Sequence, residues 1–284
     1  MPADRALDSA PRRWQEHRYM GKRLPEAKEP SLPWIVAHRG ARQEAPDNTR
    51  SAFDIAVACG VEGIECDVQL TVDGVPVLYH DRTLAKVGGG RRRVADHTLR
   101  ELRSLDWGRW FGPSFSGEPV MTLEEALRRY GRRTGLFIEI KSRPRDRERG
   151  RVGDLTRGVV ALLRRHLPRK RLREKVFLLS FDGGVLDRAA GEESHWNYVL
   201  NVKSPTDFRE GGLPRLARLF GCSLPVKNLT PSFAGKARRR GLKVFTYACN
   251  VPRQVTRALD CGADVVMTDN PRWLVKRLRG RGKG

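Results

Sequence analysis

Eight short runs rich in valine, isoleucine and leucine recur along this chain, and helical patterns with clean ends lie between several of them. That alternation limits the fold more than any other feature. The runs are WIVAH (Trp34 to His38), GIECDVQL (Gly63 to Leu70), LFIEIK (Leu136 to Lys141) and VFLLSF (Val176 to Phe181), then YVLNV (Tyr198 to Val202), CSLPV (Cys222 to Val226), KVFTYAC (Lys243 to Cys249) and DVVMT (Asp264 to Thr268). In NTRSAFDIAVACG, Ala52, Phe53, Ala56 and Val57 share one helical face and Gly60 ends it. TLEEALRRYG offers Thr122 and Glu125 as a capping box, and VPRQVTRALDCG opens at Pro252 and closes at Gly262. Continuous apolar strands alternating with helices imply a parallel sheet covered on its faces. Eight such units predict an α/β fold, a (β/α)8 TIM barrel, with an insertion between the second and third strands. That insertion holds a predicted hairpin turning at Asp73-Gly74 and the aromatic stretch LDWGRWFGPSF.

A chain of 284 residues suits one barrel of about 250 residues. Residues 1–32, polar and Pro-punctuated, read as an arm in which Trp14 and Tyr19 sit on a short helix packed on the body, the alternative being contact with a membrane surface. Residues 33–276 read as the barrel and 277–284 as a basic tail. No run reaches the ~18 apolar residues of a membrane span, and the polar N-terminus is unlike a secretory signal, so a cytoplasmic location is expected. Five cysteines without C-x-x-C spacing read as reduced, small apolar side chains. A net charge of +22 reads either as a field that favours anionic substrates and peripheral contact with anionic membrane or as a solvated basic surface from a general arginine bias. The arginines are scattered and no nucleic-acid motif accompanies them, so no nucleic-acid partner is expected.

Carboxylates inside apolar strands are the chemical signal. Side chains alternate along a strand, so Glu65 and Asp67 share one face and Glu139 and Lys141 share another. With the apolar sets turned to the helices, all four face the barrel lumen near the strands' C-terminal ends, where barrels carry active sites. Three carboxylates suit one hard divalent cation, Mg2+ or Ca2+. The alternative from spacing alone is an internal ion-pair network with Arg39 and Lys141. His38 ends the first strand, and His80 ends the hairpin with Asp81 beside it to orient it. Two imidazoles beside such a cluster can act as general base and general acid. Arg39 and Lys141 would bind an anionic centre, most naturally a phosphate. The remaining histidines, His17, His97, His166 and His195, read as surface residues.

These residues reach a resemblance. VAHRGARQEAPDNTRSAFDIAVACGVEGIECDVQLTVDGVPVLYHD resembles the signature of the glycerophosphodiester phosphodiesterase family, and the likeness continues through LDWGRWFGPSFSGEPVMTLEEAL, LFIEIK, LLSFD and GADVVMTDNP. It implies a TIM barrel that hydrolyses a glycerophosphodiester to sn-glycerol 3-phosphate and an alcohol. By that resemblance His38 and His80 match the acid/base pair, Glu65, Asp67 and Glu139 the metal ligands, and Arg39 and Lys141 the phosphate contacts. It further implies attack of the glycerol C2 hydroxyl on phosphorus and a cyclic phosphate that water opens. Two positions depart from the family's pattern. P-E-N-T reads Pro46-Asp47-Asn48-Thr49 here, with Asp47 expected to support the loop and cap the next helix. W-T-V-N is replaced by YACN, with Tyr247 expected against an apolar part of the substrate.

Two other functions stay open on the sequence. One is lysophospholipase D activity, or sphingomyelinase-D-like activity, on lipid phosphodiesters, which Trp107, Trp110 and Phe111 in the insertion would serve. The other is a non-catalytic anion-binding barrel, which would have no use for both histidines and all three carboxylates. The oligomeric state is open.

Overall fold

The computed structural model describes residues 32–168, 173–208 and 218–280. The arm with Trp14, Tyr19 and His17, and the end of the basic tail, lie outside the described residues. Strands β1 (Trp34–His38), β2 (Gly63–Leu70), β4 (Gly135–Ile140), β5 (Val176–Ser180), β6 (Asn197–Asn201), β7 (Leu219–Pro225), β8 (Lys243–Tyr247) and β9 (Val265–Thr268) pair in parallel. Pairing of β1 with both β2 and β9 closes the eight strands into a barrel. The ninth strand, β3 (Pro76–Leu78), runs antiparallel on the overhanging end of β2, with Val68 opposite Leu78. This is the hairpin expected around Asp73-Gly74, and Gly74 takes the left-handed φ of +80° that the turn requires.

Helices α1 (Arg50–Ala58), α2 (Leu99–Arg103), α3 (Leu123–Tyr130), α4 (Pro144–Glu148), α5 (Arg151–His166), α6 (Gly183–Glu192), α7 (Pro231–Arg239), α8 (Pro252–Asp260) and α9 (Pro271–Arg279) fill most of the connections. Their ends follow the predicted signals. Thr122 and Glu125 form the reciprocal capping box of α3, and Pro252 opens α8. The cap of α1 is Thr49, whose side chain accepts from the Ala52 N–H, and not Asp47.

Alternation divides the apolar side chains into two shells. Ile64, Cys66, Val68, Ile138 and Ile140 turn outward and pack under the helices. Phe137, Phe177, Leu179, Val199 and Phe245 turn inward and fill the lumen. Phe137 stacks on Phe177 at 4.2 Å between centroids, so aromatic packing fills the lower barrel and the ionisable cluster sits above it, toward the C-terminal end.

The insertion has a small core of its own, built on Tyr79, Leu84, Val94, Leu102 and Trp107. Trp107 is buried, packs edge-on against Tyr79 and donates its indole N–H to the Leu102 carbonyl. It is therefore structural and unavailable to a lipid, unlike Trp110, which is 39% exposed. His97 is also buried, its Nδ1 held at the Arg93 carbonyl, which corrects its expected place on the surface. The five cysteines are free, and four of them are buried. Among the described residues no helix is long and apolar enough to cross a membrane.

Candidate active site

The alternation that packs Ile64, Cys66 and Val68 outward leaves Glu65 and Asp67 facing the lumen, and both are buried. Parallel pairing of β2 with β4 puts Asp67 opposite Glu139. One carboxylate oxygen from each of Glu65, Asp67 and Glu139 lies within 4.8 Å of the others.

Two cations already meet this cluster. Lys141 Nζ stands 2.6 Å from both Asp67 Oδ1 and Glu139 Oε1. Arg39 Nε lies 3.1 Å from Asp67 Oδ2. Asn48 completes the grip on Asp67, donating its Nδ2 hydrogen to Oδ2 and accepting the Asp67 backbone N–H. Both Arg39 and Asn48 take positive φ, 58° and 60°, as the loop after β1 folds over the cluster. Gly40 lets that loop approach α1, since a Cβ there would stand 2.8 Å from Ala52.

Ion pairing and metal binding thus meet in one place, and charge separates their shares. Burial would raise the Asp67 pKa, but Lys141 and Arg39 hold it well below the usual carboxylate range. Glu65 moves the other way: burial, then the charges of Asp67 and Glu139, push its pKa well up. Its hydrogen bond comes from the Arg39 backbone N–H at 3.0 Å. Burial also raises Glu139, against the pull of Lys141. Three carboxylates against two cations leave the cluster one cation short, and the shortfall falls on Glu65, whose ionised form is the least favoured. An all-oxygen donor set with that shortfall fits a hard divalent cation.

The two histidines flank the cluster, each backed by a carboxylate. His38 Nδ1 lies 2.7 Å from Asp269 Oδ1, while its Nε2 lies 3.9 Å from Glu65 Oε2. An ionised carboxylate only accepts, so Nδ1 carries the hydrogen and the basic nitrogen faces the lumen. Burial lowers the His38 pKa, with Asp269 opposing the shift. Asp269 is itself held by the Asn250 amide at 2.7 Å, and Asn250 Oδ1 accepts from Thr268 Oγ and the Asp269 N–H. His80 Nδ1 lies 2.9 Å from Asp81 Oδ1. Arg143 donates to the His80 carbonyl, and Gln69 donates to the carbonyls of Tyr79 and Asp81, which fixes the end of the hairpin.

Asp47 does support the loop, through Lys86 Nζ at 2.8 Å. Lys86 also reaches Asp81 Oδ2 at 3.2 Å and lies over the Trp110 ring, so it ties the loop after β1 to the insertion. Tyr247 ends β8 with its ring 6.3 Å from that of His38. All eight predicted site residues therefore gather at one end of the barrel. Asp269, Asn250, Asn48 and Lys86 are additions. For Asp269 the signal was its place, directly after Thr268 at the C-terminal end of a barrel strand.

The chain has many relatives of known family. The profile of the glycerophosphoryl diester phosphodiesterase family matches residues 38–272. YhdW of Bacillus subtilis is 32% identical over 248 residues, covering 86% of this chain and 97% of that relative. The glycerophosphodiester phosphodiesterase of Caldanaerobacter subterraneus subsp. tengcongensis is 31% identical over 255 residues, covering 87% and 98%. Among solved structures, an Oleispira antarctica phosphodiesterase in complex with its product sn-glycerol 3-phosphate superposes with a TM-score of 0.76 at 26% identity, covering 86% of this chain and 95% of its own. With that profile and relatives above 30% identity each covering most of its length, this chain belongs to the glycerophosphoryl diester phosphodiesterase family, a family of enzymes.

Proposed function

We propose that this enzyme hydrolyses glycerophosphodiesters to sn-glycerol 3-phosphate and an alcohol in the cytoplasm, with one divalent cation, Mg2+ or Ca2+, as cofactor. The observation that carries the reading is the convergence of Glu65, Asp67 and Glu139 between two carboxylate-backed histidines. Those three side chains would hold the cation, which when bound offsets their charge and supplies a Lewis acid for a phosphoryl oxygen.

The chain's own residues do the rest. Arg39 and Lys141 anchor the phosphate's negative oxygens. His38 Nε2, unprotonated while Asp269 holds the opposite hydrogen, takes the proton of the glycerol C2 hydroxyl as its oxygen attacks phosphorus. The bond from phosphorus to the departing oxygen breaks as protonated His80 gives that oxygen its hydrogen, leaving a cyclic phosphate. Water then opens the ring with the roles exchanged: His80 removes its proton and His38 returns one to the C2 oxygen. Tyr247 lies against the glycerol arm, beside His38.

Phe181 and Trp110, exposed beside the same opening, favour an additional lipid-bearing substrate and transient contact with anionic membrane. Hydrolysis of lysophospholipids would then depend on vesicle charge, and Trp110→Ala would weaken it.

The test is release of glycerol 3-phosphate from glycerophosphocholine and glycerophosphoethanolamine with chelator, then with Mg2+ or Ca2+ restored. Activity should return with one of the ions and be lost in His38→Ala and Glu65→Ala. Turnover that survives either substitution, or is indifferent to chelator, refutes the mechanism.

A further inference from the structure

A cleft of about 790 Å3 opens beside His80, and it carries positive charge that the acidic cluster does not use. One wall is the segment after β3, residues 80–86. The other is built by the turns after β4, β5 and β6, which contribute Arg143, Phe181 and Lys203. Among the described residues five lysine and arginine side chains line it. Lys86 is engaged by Asp47 and Asp81, and Lys141 by Asp67 and Glu139. Arg82, Arg143 and Lys203 take part in no ion pair among the described residues. Arg143 spends one N–H on the His80 carbonyl, while its Nε is buried without an acceptor. Burial lowers the Arg143 pKa, against the more distant charges of Asp146, Asp67 and Asp81, and the neighbouring Arg82 adds to the fall. The one aspartate of the wall, Asp81, is engaged by His80 and Lys86, so the three cations without an ion-pair partner repel one another unless a further anion sits among them.

The lining also argues against a quaternary ammonium group. Among the described residues Phe181 is the one Phe, Tyr or Trp in the wall, and a single ring among guanidinium and ammonium groups makes no aromatic cage. The cleft adjoins His80, Glu139 and Lys141 but not His38. A diester with its phosphorus between the histidines therefore directs into it the arm that departs on the His80 side. We propose that this cleft is an anion subsite for the departing alcohol, selecting glycerophosphodiesters whose alcohol carries a second phosphate. The assignment rests on the hydrolytic reading above.

The test uses a matched pair, glycerophosphoglycerol and the same diester bearing a terminal phosphate on the departing glycerol. At low ionic strength the wild-type kcat/KM should favour the phosphorylated member about tenfold or more, and 0.5 M salt should erode the preference. In the double variant Arg82→Ala/Lys203→Ala the ratio should fall toward one, and in Lys203→Glu it should fall further. Calorimetric binding of the same pair to His38→Ala, whose cleft is intact, gives a readout independent of turnover. Equal kcat/KM for the pair, or a preference that persists in the double variant, overturns the subsite while leaving hydrolysis in place. Absence of turnover with tenfold tighter binding of the phosphorylated member would refute the hydrolytic reading and retain the subsite.

Discussion

His38 and Asp269 meet at 2.7 Å although 231 residues separate them, because β9 closes the barrel against β1. The contact sets the histidine's tautomer. In Asp269→Asn, the Asn250 amide still demands an acceptor, so the new side chain turns its oxygen to Asn250 and its NH2 to His38. Nδ1 then becomes the acceptor and Nε2 carries the hydrogen, the wrong state for a base. We expect kcat to fall by about 10²–10⁴-fold with little change in KM or melting temperature. Nitrogen NMR of His38 should show the exchanged tautomer. A fall below about threefold, or an unchanged tautomer, would count against the role.

The cost of ionising Glu65 without a cation should be visible as stability. With chelator present, Glu65→Gln should be more stable than wild type by about 1–3 kcal/mol, because the amide is neutral at no cost where Glu65 must hold a buried charge or take up a proton, while an acceptor for the Arg39 N–H is kept. Divalent cation should then raise the wild-type melting temperature strongly and that of the variant weakly. Scanning calorimetry decides it. A variant that melts lower in chelator, or gains as much from the ion, excludes Glu65 as a ligand.

Asp54 offers a pH test away from the site. It accepts from Tyr130 Oη at 2.9 Å and from Arg129 Nη2 at 2.8 Å, joining α1 to α3. Burial would raise its pKa, but these partners hold it below the ordinary 3.8. A depressed carboxylate stabilises the fold above its unfolded pKa and loses that contribution as pH falls through the folded value. Asp54→Asn should therefore cost about 1 kcal/mol at pH 7, small because the pair is partly exposed, and the gap should narrow below pH 3.8. Urea titrations of both proteins across that range measure it. A gap independent of pH would mean that packing, not charge, holds the two helices together.

What the sequence made legible was what depends on period. Glu65, Asp67, Glu139 and Lys141 could be placed on one face because strand side chains alternate, whatever the tertiary structure. Contacts between the two ends of the chain were out of reach: nothing near Asp269 in sequence points to His38, and closure of the barrel creates the pair. His97 was misplaced for a related reason. It sits in a polar segment, and its burial comes from the insertion folding a small core under its own aromatic residues. Asp47 was read as a cap because it precedes a helix, but Thr49 stands at the capping position and Lys86, 39 residues away, claims the Asp47 carboxylate.

Gly63 and Phe137 fit together so closely that the barrel's interior can be tested at one atom. Gly63 faces the lumen from the start of β2, and a Cβ there would stand 2.4 Å from Phe137 Cε2. Phe137 cannot easily yield, because it is stacked on Phe177 and tilted against Phe245. Gly63→Ala should therefore destabilise by about 1–3 kcal/mol through overpacking, although alanine suits a strand better than glycine does. Phe137→Leu alone should cost about 1–2 kcal/mol by leaving space beside Phe177. Combined, the two changes should cost less than their sum, since the methyl group added by Gly63→Ala would occupy volume vacated by the ring. Denaturant unfolding of the four proteins closes the cycle. Additive costs would show that the backbone of β2 shifts to make room for the methyl, and that the close fit does not set the register between β2 and β4 on which Asp67 and Glu139 depend.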